Sequence, residues 1–230
     1  MQVLVTRSPD DAERTAERLA ALGHGACLAP VTRIVPTGDP CPGAHYDALI
    51  VTSAHAADAL AALDRMKPVF AVGGRTADAV RSQGFDDVTV ADGDAVSLSR
   101  LIRGNLRAGL ALFHVTARHH KEEPASSLRE AGFTVIEWEA YEARAVESLP
   151  ETAIAALRSG QIGAALHYSR RSADLVVRLA GEAGLASELR AFPHLCLSAD
   201  AAAPLASIAA TLVAGDPSED ALLALLDRLP

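Results

Sequence analysis

The sequence predicts an α/β protein built from two doubly wound lobes, each a parallel sheet covered by helices on both faces. Short apolar runs alternate with amphipathic runs along the whole chain, the pattern of such lobes. The apolar runs are continuous rather than alternating with polar residues, as expected of strands buried on both faces. The chain also carries an internal duplication, and a repeat constrains architecture before any motif does. Val3-Leu-Val-Thr-Arg-Ser-Pro and its amphipathic run to Gly23 are echoed by Phe113-His-Val-Thr-Ala-Arg and a run to Gly132. Ile50-Val-Thr-Ser-Ala-His-Ala-Ala-Asp58 is echoed by Leu166-His-Tyr-Ser-Arg-Arg-Ser-Ala-Asp174, and Val69-Phe-Ala-Val-Gly-Gly-Arg-Thr-Ala77 more faintly by His194-Leu-Cys-Leu-Ser-Ala-Asp-Ala-Ala202. The spacing between echoes widens along the chain. Two similar units with a cleft between them suit a bulky ligand held between lobes.

The elements follow in order. Val3-Leu-Val-Thr is a buried strand; Ser8 then caps a helix with Pro9 at its first position and Asp10 and Asp11 opposing the helix dipole. Gly23 suits the left-handed C-terminal cap of that helix. Strand 48–52 with helix 54–65, strand 69–72 with helix 75–83, and strand 111–115 with helix 122–131 come next. Strand 163–168 with helix 170–180 and strand 194–198 with helix 200–212 follow. A last helix opens on the capping-box pattern Asp216-Pro-Ser-Glu219 and presents Leu222, Leu223, Leu225, Leu226 and Leu229. Two segments break the alternation, Ala29–Pro36 and Glu137–Val146. Both are extended, and they read as strands joining the lobes, with 36–43 as an exposed loop. If they pair, the lobes are not the two sequence halves. Residues 1–35 with 146–230 form a discontinuous first lobe, 37–137 form the second, and the linker strands lie at about 29–36 and 137–146.

Composition narrows the function. Half of the 230 residues are hydrophobic and only 4% aromatic, so the cores rest on Ala, Leu and Val. A net charge of −8 argues against nucleic acid or an anionic membrane surface as partner. The N-terminus enters a strand directly, without a leader pattern, and no apolar stretch reaches membrane-spanning length. Cys27, Cys41 and Cys196 are scattered, in keeping with a reducing cytoplasm.

Nearly every strand ends in hydroxyls, glycines or an arginine: Thr6-Arg7-Ser8, Thr52-Ser53, Gly73-Gly74-Arg75-Thr76, Thr116-Ala117-Arg118, Tyr168-Ser169-Arg170 and Ser198. Ligands of open α/β sheets bind beyond these strand ends, and such donors suit carboxylates. At any one site, simple helix capping explains them as well; it is their repetition that favours binding. Val72-Gly-Gly-Arg-Thr lacks the dinucleotide fingerprint and no phosphate-binding P-loop is present, so no nucleotide cofactor is expected. His114, His119 and His120 have no second ligand set and read as solvated loop histidines rather than a metal site. There is no nucleophile elbow. Tyr141, in an interlobe strand, is the best lone candidate for chemistry, while Trp138 points to the opposite face of a regular strand.

Together these segments resemble the uroporphyrinogen-III synthase family over nearly the whole chain. The resemblance rests on Val5-Thr-Arg-Ser-Pro, Pro30, Tyr46-Asp-Ala-Leu-Ile-Val-Thr-Ser-Ala54, Val72-Gly-Gly-Arg-Thr-Ala77, Glu139-Ala-Tyr-Glu-Ala and Tyr168-Ser-Arg-Arg-Ser-Ala173. It implies two flavodoxin-like lobes joined by a two-stranded antiparallel linker, the first lobe discontinuous. It also implies a cofactor-free cytoplasmic monomer that cyclises hydroxymethylbilane to uroporphyrinogen III, with loss of water and inversion of the last pyrrole ring. The resemblance implies Tyr141 and Thr76 as catalytic residues: Tyr141 matches the family tyrosine thought to assist departure of the hydroxyl, and Thr76 the threonine of the Gly-x-x-Thr-Ala turn near the cleft. Arg7, Thr52, Ser53, Gly74, Ser169, Arg170 and Ser198 fall where contacts to the substrate carboxylates are expected. The second turn departs from the pattern: Ser198 stands for the glycine, Ala201 for the threonine, and Asp200 adds a negative charge. That departure motivates the alternative of a non-catalytic two-lobed protein binding an anionic small molecule such as a tetrapyrrole.

Overall fold

A computed structural model describes residues 1–229. The strands are β1 (Gln2–Val5), β2 (Gly25–Leu28), β3 (Thr32–Pro36), β4 (Ala48–Val51), β5 (Val69–Ala71), β6 (Val88–Val90), β7 (Ala111–Ala117), β8 (Thr134–Ala145), β9 (Ile162–His167), β10 (His194–Cys196) and β11 (Thr211–Val213). The α-helices are α1 (Pro9–Ala21), α2 (Ala57–Leu60), α3 (Gly74–Ser82), α4 (Ala95–Asn105), α5 (Ala125–Glu130), α6 (Glu151–Arg158), α7 (Arg170–Glu182), α8 (Ala199–Ala202) and α9 (Glu219–Leu223). The chain divides into two compact units, one of Met1–Arg33 with Arg144–Pro230 and one of Ile34–Ala143.

The sheet of the first unit runs β11-β10-β9-β1-β2, parallel throughout. Taken in chain order this is the 2-1-3-4-5 arrangement of flavodoxin-like folds. Leu4 packs with Ala165, Val176 and Leu179, whereas Val3 and Val5 pack with Leu19, Leu166 and Leu222. Successive side chains enter opposite faces of a strand, and both faces are covered, so no polar residue is tolerated within the buried stretch Val3–Val5.

The sheet of the second unit runs β3-β8-β7-β4-β5-β6, and β8 through β6 are parallel. Leu49 and Val51 pack on one face, Ala48 and Ile50 on the other. β3 is added at the edge. The Thr37 N–H donates to the Ala140 carbonyl and the Val146 N–H to the Val31 carbonyl, each at 3.1 Å, so the partner number falls as the chain advances: β3 and β8 are antiparallel.

Local signals account for many boundaries. Gly23 takes a φ of 78°, the left-handed cap expected of it. Asp94 caps α4, accepting from the Ser97 N–H at 2.7 Å. Other expectations give way. Ser8 makes no cap to the backbone and donates to Asp11 instead. The cap of the last helix is Ser218, two residues beyond Asp216, accepting from the Ala221 N–H. In place of a helix over 54–65 there is a 3₁₀ turn at Ala54–Ala56 and one turn of α2. The Asp64 carboxylate accepts the Met66 N–H, a local bond that competes with helical continuation. The helix expected over 200–212 ends with α8 and a 3₁₀ turn at Ala203–Leu205 containing Pro204. Thr211–Val213 instead becomes the edge strand β11, where its β-branched residues fit a pleated surface. β2, β6, α4 and α6 are further elements not anticipated.

One feature of the first core is polar. His167 and His194 are both fully buried. His194 Nε2 lies 2.8 Å from the Leu189 carbonyl and so carries the proton; His194 Nδ1 then accepts from His167 Nε2, also at 2.8 Å. Burial, and then the neighbouring ring, push the His167 imidazole down to about 3; burial lowers His194 too. Both rings are neutral when folded, while unfolded histidines take up a proton near pH 6.5. Stability contributed by this pair is complete above about pH 6.5 and is lost as pH falls from there towards the folded value. Gln at position 167 keeps a donor where Nε2 stands. We expect urea unfolding of His167→Gln to show a stability loss between about pH 6.5 and pH 5 smaller than wild type by about 1.5 kcal/mol; identical losses would exclude the pair as the cause.

Candidate active site

Parallel pairing brings the carboxyl ends of all strands in one sheet to one edge, where loops and helix N-termini meet. In the second unit that edge collects Thr52 and Ser53 after β4, Gly74 and Thr76 in the first turn of α3, and Tyr141 on β8. Tyr141 stands opposite Ala117, the last residue of β7. Its register shifts by one residue between Thr116 and Ala117. An extra residue of this kind turns following side chains to the other face. Trp138 and Tyr141 therefore share a face and a hydrophobic cluster, against the expectation for a regular strand.

Both rings line a pocket of about 390 Å³, whose other walls include Ile34, His55, Asp58 and Ala62. The loop bearing Asp39 closes one side: the Trp138 indole N–H donates to the Asp39 carbonyl at 3.1 Å, and Arg118 pairs with the Asp39 carboxylate at 2.5 Å. Tyr141 is 7% exposed. Burial pushes its phenol above the usual value, and a hydrogen bond with the Ser53 side chain works in the opposite direction. Ser53 also accepts the His55 N–H at 3.3 Å. Thr52 turns the other way and meets His114 Nε2 at 3.1 Å. Thr76 is buried. Gly74 is exposed, and a Cβ built there would meet nothing within 4 Å, so internal packing does not require glycine at this position.

In the first unit the corresponding edge holds Arg7, Ser169, Arg170 and Ser198. Arg7 is engaged within the protein: its guanidinium lies 4.0 Å over the Tyr168 ring and 3.0 Å from Glu219. Glu219 also receives Thr15 at 2.8 Å, Arg18 at 2.8 Å and the Tyr168 hydroxyl at 2.6 Å. Burial works to raise the Glu219 pKa, but the bonds from Tyr168, Thr15 and Arg18 and the charge of Arg7 hold it below the ordinary range. Ser169 and Ser198 cap helices, accepting from the Ser172 and Ala201 N–H groups at 3.2 Å. Arg170 is exposed and pairs with Asp200 at 3.4 Å, so the negative charge that departs from the family pattern has a cation beside it.

The histidines differ from expectation. His114 is 1% exposed in the middle of β7 and is no solvated loop residue; a β-strand preceding His119 and His120 draws it into the sheet. Among the described residues no cluster of His, Cys, Asp or Glu has the arrangement of a metal site.

The family model described as uroporphyrinogen-III synthase HemD matches residues 13–224. The uroporphyrinogen-III synthetase of Helicobacter pylori 26695 superposes with a TM-score of 0.67 at 15% identity, covering 99% of this chain and 98% of that one. A mutant uroporphyrinogen III synthase of the extremely thermophilic bacterium Thermus thermophilus superposes with a TM-score of 0.50 at 19% identity, with 99% and 98% covered. At such identities the superpositions speak to the fold. No curated protein matches the chain. With a family match spanning nearly its whole length, the chain belongs to the uroporphyrinogen-III synthase HemD family, cyclising lyases of tetrapyrrole and haem biosynthesis.

Proposed function

We propose that the enzyme performs its cyclisation at the carboxyl edge of the second unit, with Tyr141 beside the hydroxyl that departs from hydroxymethylbilane. Loss of that hydroxyl leaves an azafulvenium-like carbon. The terminal pyrrole attacks through its already substituted carbon to give a spiro intermediate. Fragmentation and reclosure then invert that ring and release a proton, so the proton consumed in forming water is returned. Hydroxide is a poor leaving group, and a placed acid assists it.

The observation that carries this reading is the buried phenol of Tyr141 in the wall of an apolar pocket, held by Ser53. Burial keeps its proton in place at neutral pH, which suits a donor. The walls of Trp138, Ile34 and alanines suit the flat face of a pyrrole. Holding one folded conformer is the larger task, since the bilane closes unaided to the uninverted isomer; restricting orientation is an entropic service. Open N–H groups in the first turn of the nine-residue helix α3 at Gly74 and Thr76, with Ser53, and Ser169, Arg170 and Ser198 in the first unit, are the groups we assign to the substrate carboxylates. Arg7 serves that edge by fixing Tyr168 and Glu219. The same reading takes the enzyme to be a cytoplasmic monomer, in keeping with its free thiols at Cys27, Cys41 and Cys196.

Incubation with enzymatically generated hydroxymethylbilane should yield mainly the III isomer; the I isomer alone would refute the reading. Tyr141→Phe should lower kcat by about 100-fold with little change in thermal stability, and wild-type turnover would reduce Tyr141 to a packing role. Gly74→Val should raise KM by about tenfold through obstruction of the α3 amides, while leaving the unfolding midpoint near wild type; an unchanged KM would remove that turn from the binding surface.

A further inference from the structure

His114 is buried in the middle of β7, beside Thr52 of the carboxyl edge, yet the chemistry above does not use it. Its imidazole lies between two polar side chains. Nε2 is 3.1 Å from Thr52 Oγ1, and Nδ1 is 3.6 Å from Oε1 of Glu137, which is its register partner on β8. Nδ1 has no partner at hydrogen-bond distance. Glu137 is held in place from its other sides, by Arg129 at 2.6 Å and by His120 Nε2 at 3.0 Å. His120 Nδ1 is 2.7 Å from the Ala117 carbonyl. Both ring nitrogens of His120 thus face acceptors. Facing His114 and hydrogen-bonded by Arg129, the Glu137 carboxyl is held down to about 2 despite partial burial, so it is an anion throughout the working range.

A fixed carboxylate draws the single proton of a neutral imidazole to the nitrogen that faces it. That nitrogen is Nδ1, which leaves Nε2 as an acceptor. The Thr52 hydroxyl must then spend its proton on Nε2 and turn its lone pairs towards the carboxyl edge. We propose that His114, oriented by Glu137, is a positioning residue that makes Thr52 a hydrogen-bond acceptor and so aims it at a pyrrole N–H of the bilane rather than at a carboxylate. This reverses the polarity that the sequence alone assigns to Thr52, and it rests on the reading that this edge binds the substrate. Carboxylates hang from every ring of the bilane, so contacts to them say little about how any one ring is turned. An acceptor for N–H reads the orientation of the ring itself, and ring orientation is what separates the inverted product from the uninverted one.

Around His114 stand Glu137 on β8, the edge-on His120 ring at 6.2 Å, and Arg129 at the end of α5, acting through Glu137; beyond the end of β4 it meets the uncharged Thr52. The test measures KM and kcat with enzymatically generated hydroxymethylbilane. We expect Thr52→Val to raise KM by about fivefold, the worth of one neutral hydrogen bond, and Thr52→Ser to restore it. His114→Gln, which places an amide donor where Nε2 stands, should raise KM with little change in kcat. Glu137→Gln releases the proton to Nε2 and should likewise raise KM. Wild-type kinetics in Thr52→Val would show that this part of the edge does not bind substrate, and the underlying reading would fall with the inference. An impaired Thr52→Val together with an unchanged KM in His114→Gln or in Glu137→Gln would overturn the inference alone.

Discussion

The pairing of β1 with β9 is the constraint on which the rest of the first unit hangs. β1 has four residues, three of them fully buried between two covered faces, so it cannot stand without a neighbour on either side. β2 supplies one, and β9 supplies the other from far along the chain, with Val5 opposite Leu166 and the Thr6 hydroxyl donating to the Leu166 carbonyl at 3.0 Å. The long excursion between β2 and β9 contains the whole of the second unit. Its entropic cost grows only slowly with length, while the burial of each Val or Leu side chain contributes about 1.5–3 kcal/mol.

The same logic recurs in the second unit, where β7 lies between β8 and β4. The strand order β2-β1-β9-β10-β11 corresponds to β8-β7-β4-β5-β6. In each unit a leading strand–helix–strand piece from one repeat completes the sheet begun by three strands of the other. The duplication visible in the sequence is thus tandem in the chain and exchanged in space. β3 and β8 carry the chain through that exchange, and β8 is long enough to serve both as a member of the second sheet and as the partner of β3.

Consequences for the site follow from strand direction. Parallel pairing sends Thr52, Ser53, Gly74 and Thr76 to one edge, and the register shift in β8 turns Tyr141 to the pocket face beside Trp138. Adjacent residues then divide the work: Ser53 faces Tyr141, and Thr52 faces His114. In the first unit, Arg7 illustrates the opposite case. Its place after β1 was evident from the strand-end pattern, but its partner Glu219 lies at the start of the last helix, and nothing near Arg7 in the chain announces it.

Features legible in the chain alone are local or repetitive: doubly buried strands from unbroken apolar runs, the left-handed Gly23, the class of each strand end, and the repeat that reveals two related sheets. The strand-end hydroxyls could be read because strand direction alone fixes their edge. Short elements escaped, as β6 and β11 have three residues each and draw their strand character from pairing with β5 and β10. The remainder came from contacts made at long range. A bulge is a mismatch between two strands, so the shared face of Trp138 and Tyr141 exists only once β7 lies beside β8. Burial of His114 and the direction of its proton likewise depend on Glu137 arriving opposite it. Periodicity records which way a side chain leaves its own backbone; hydrogen-bond polarity is set by the neighbour it meets, and that neighbour comes from elsewhere in the chain.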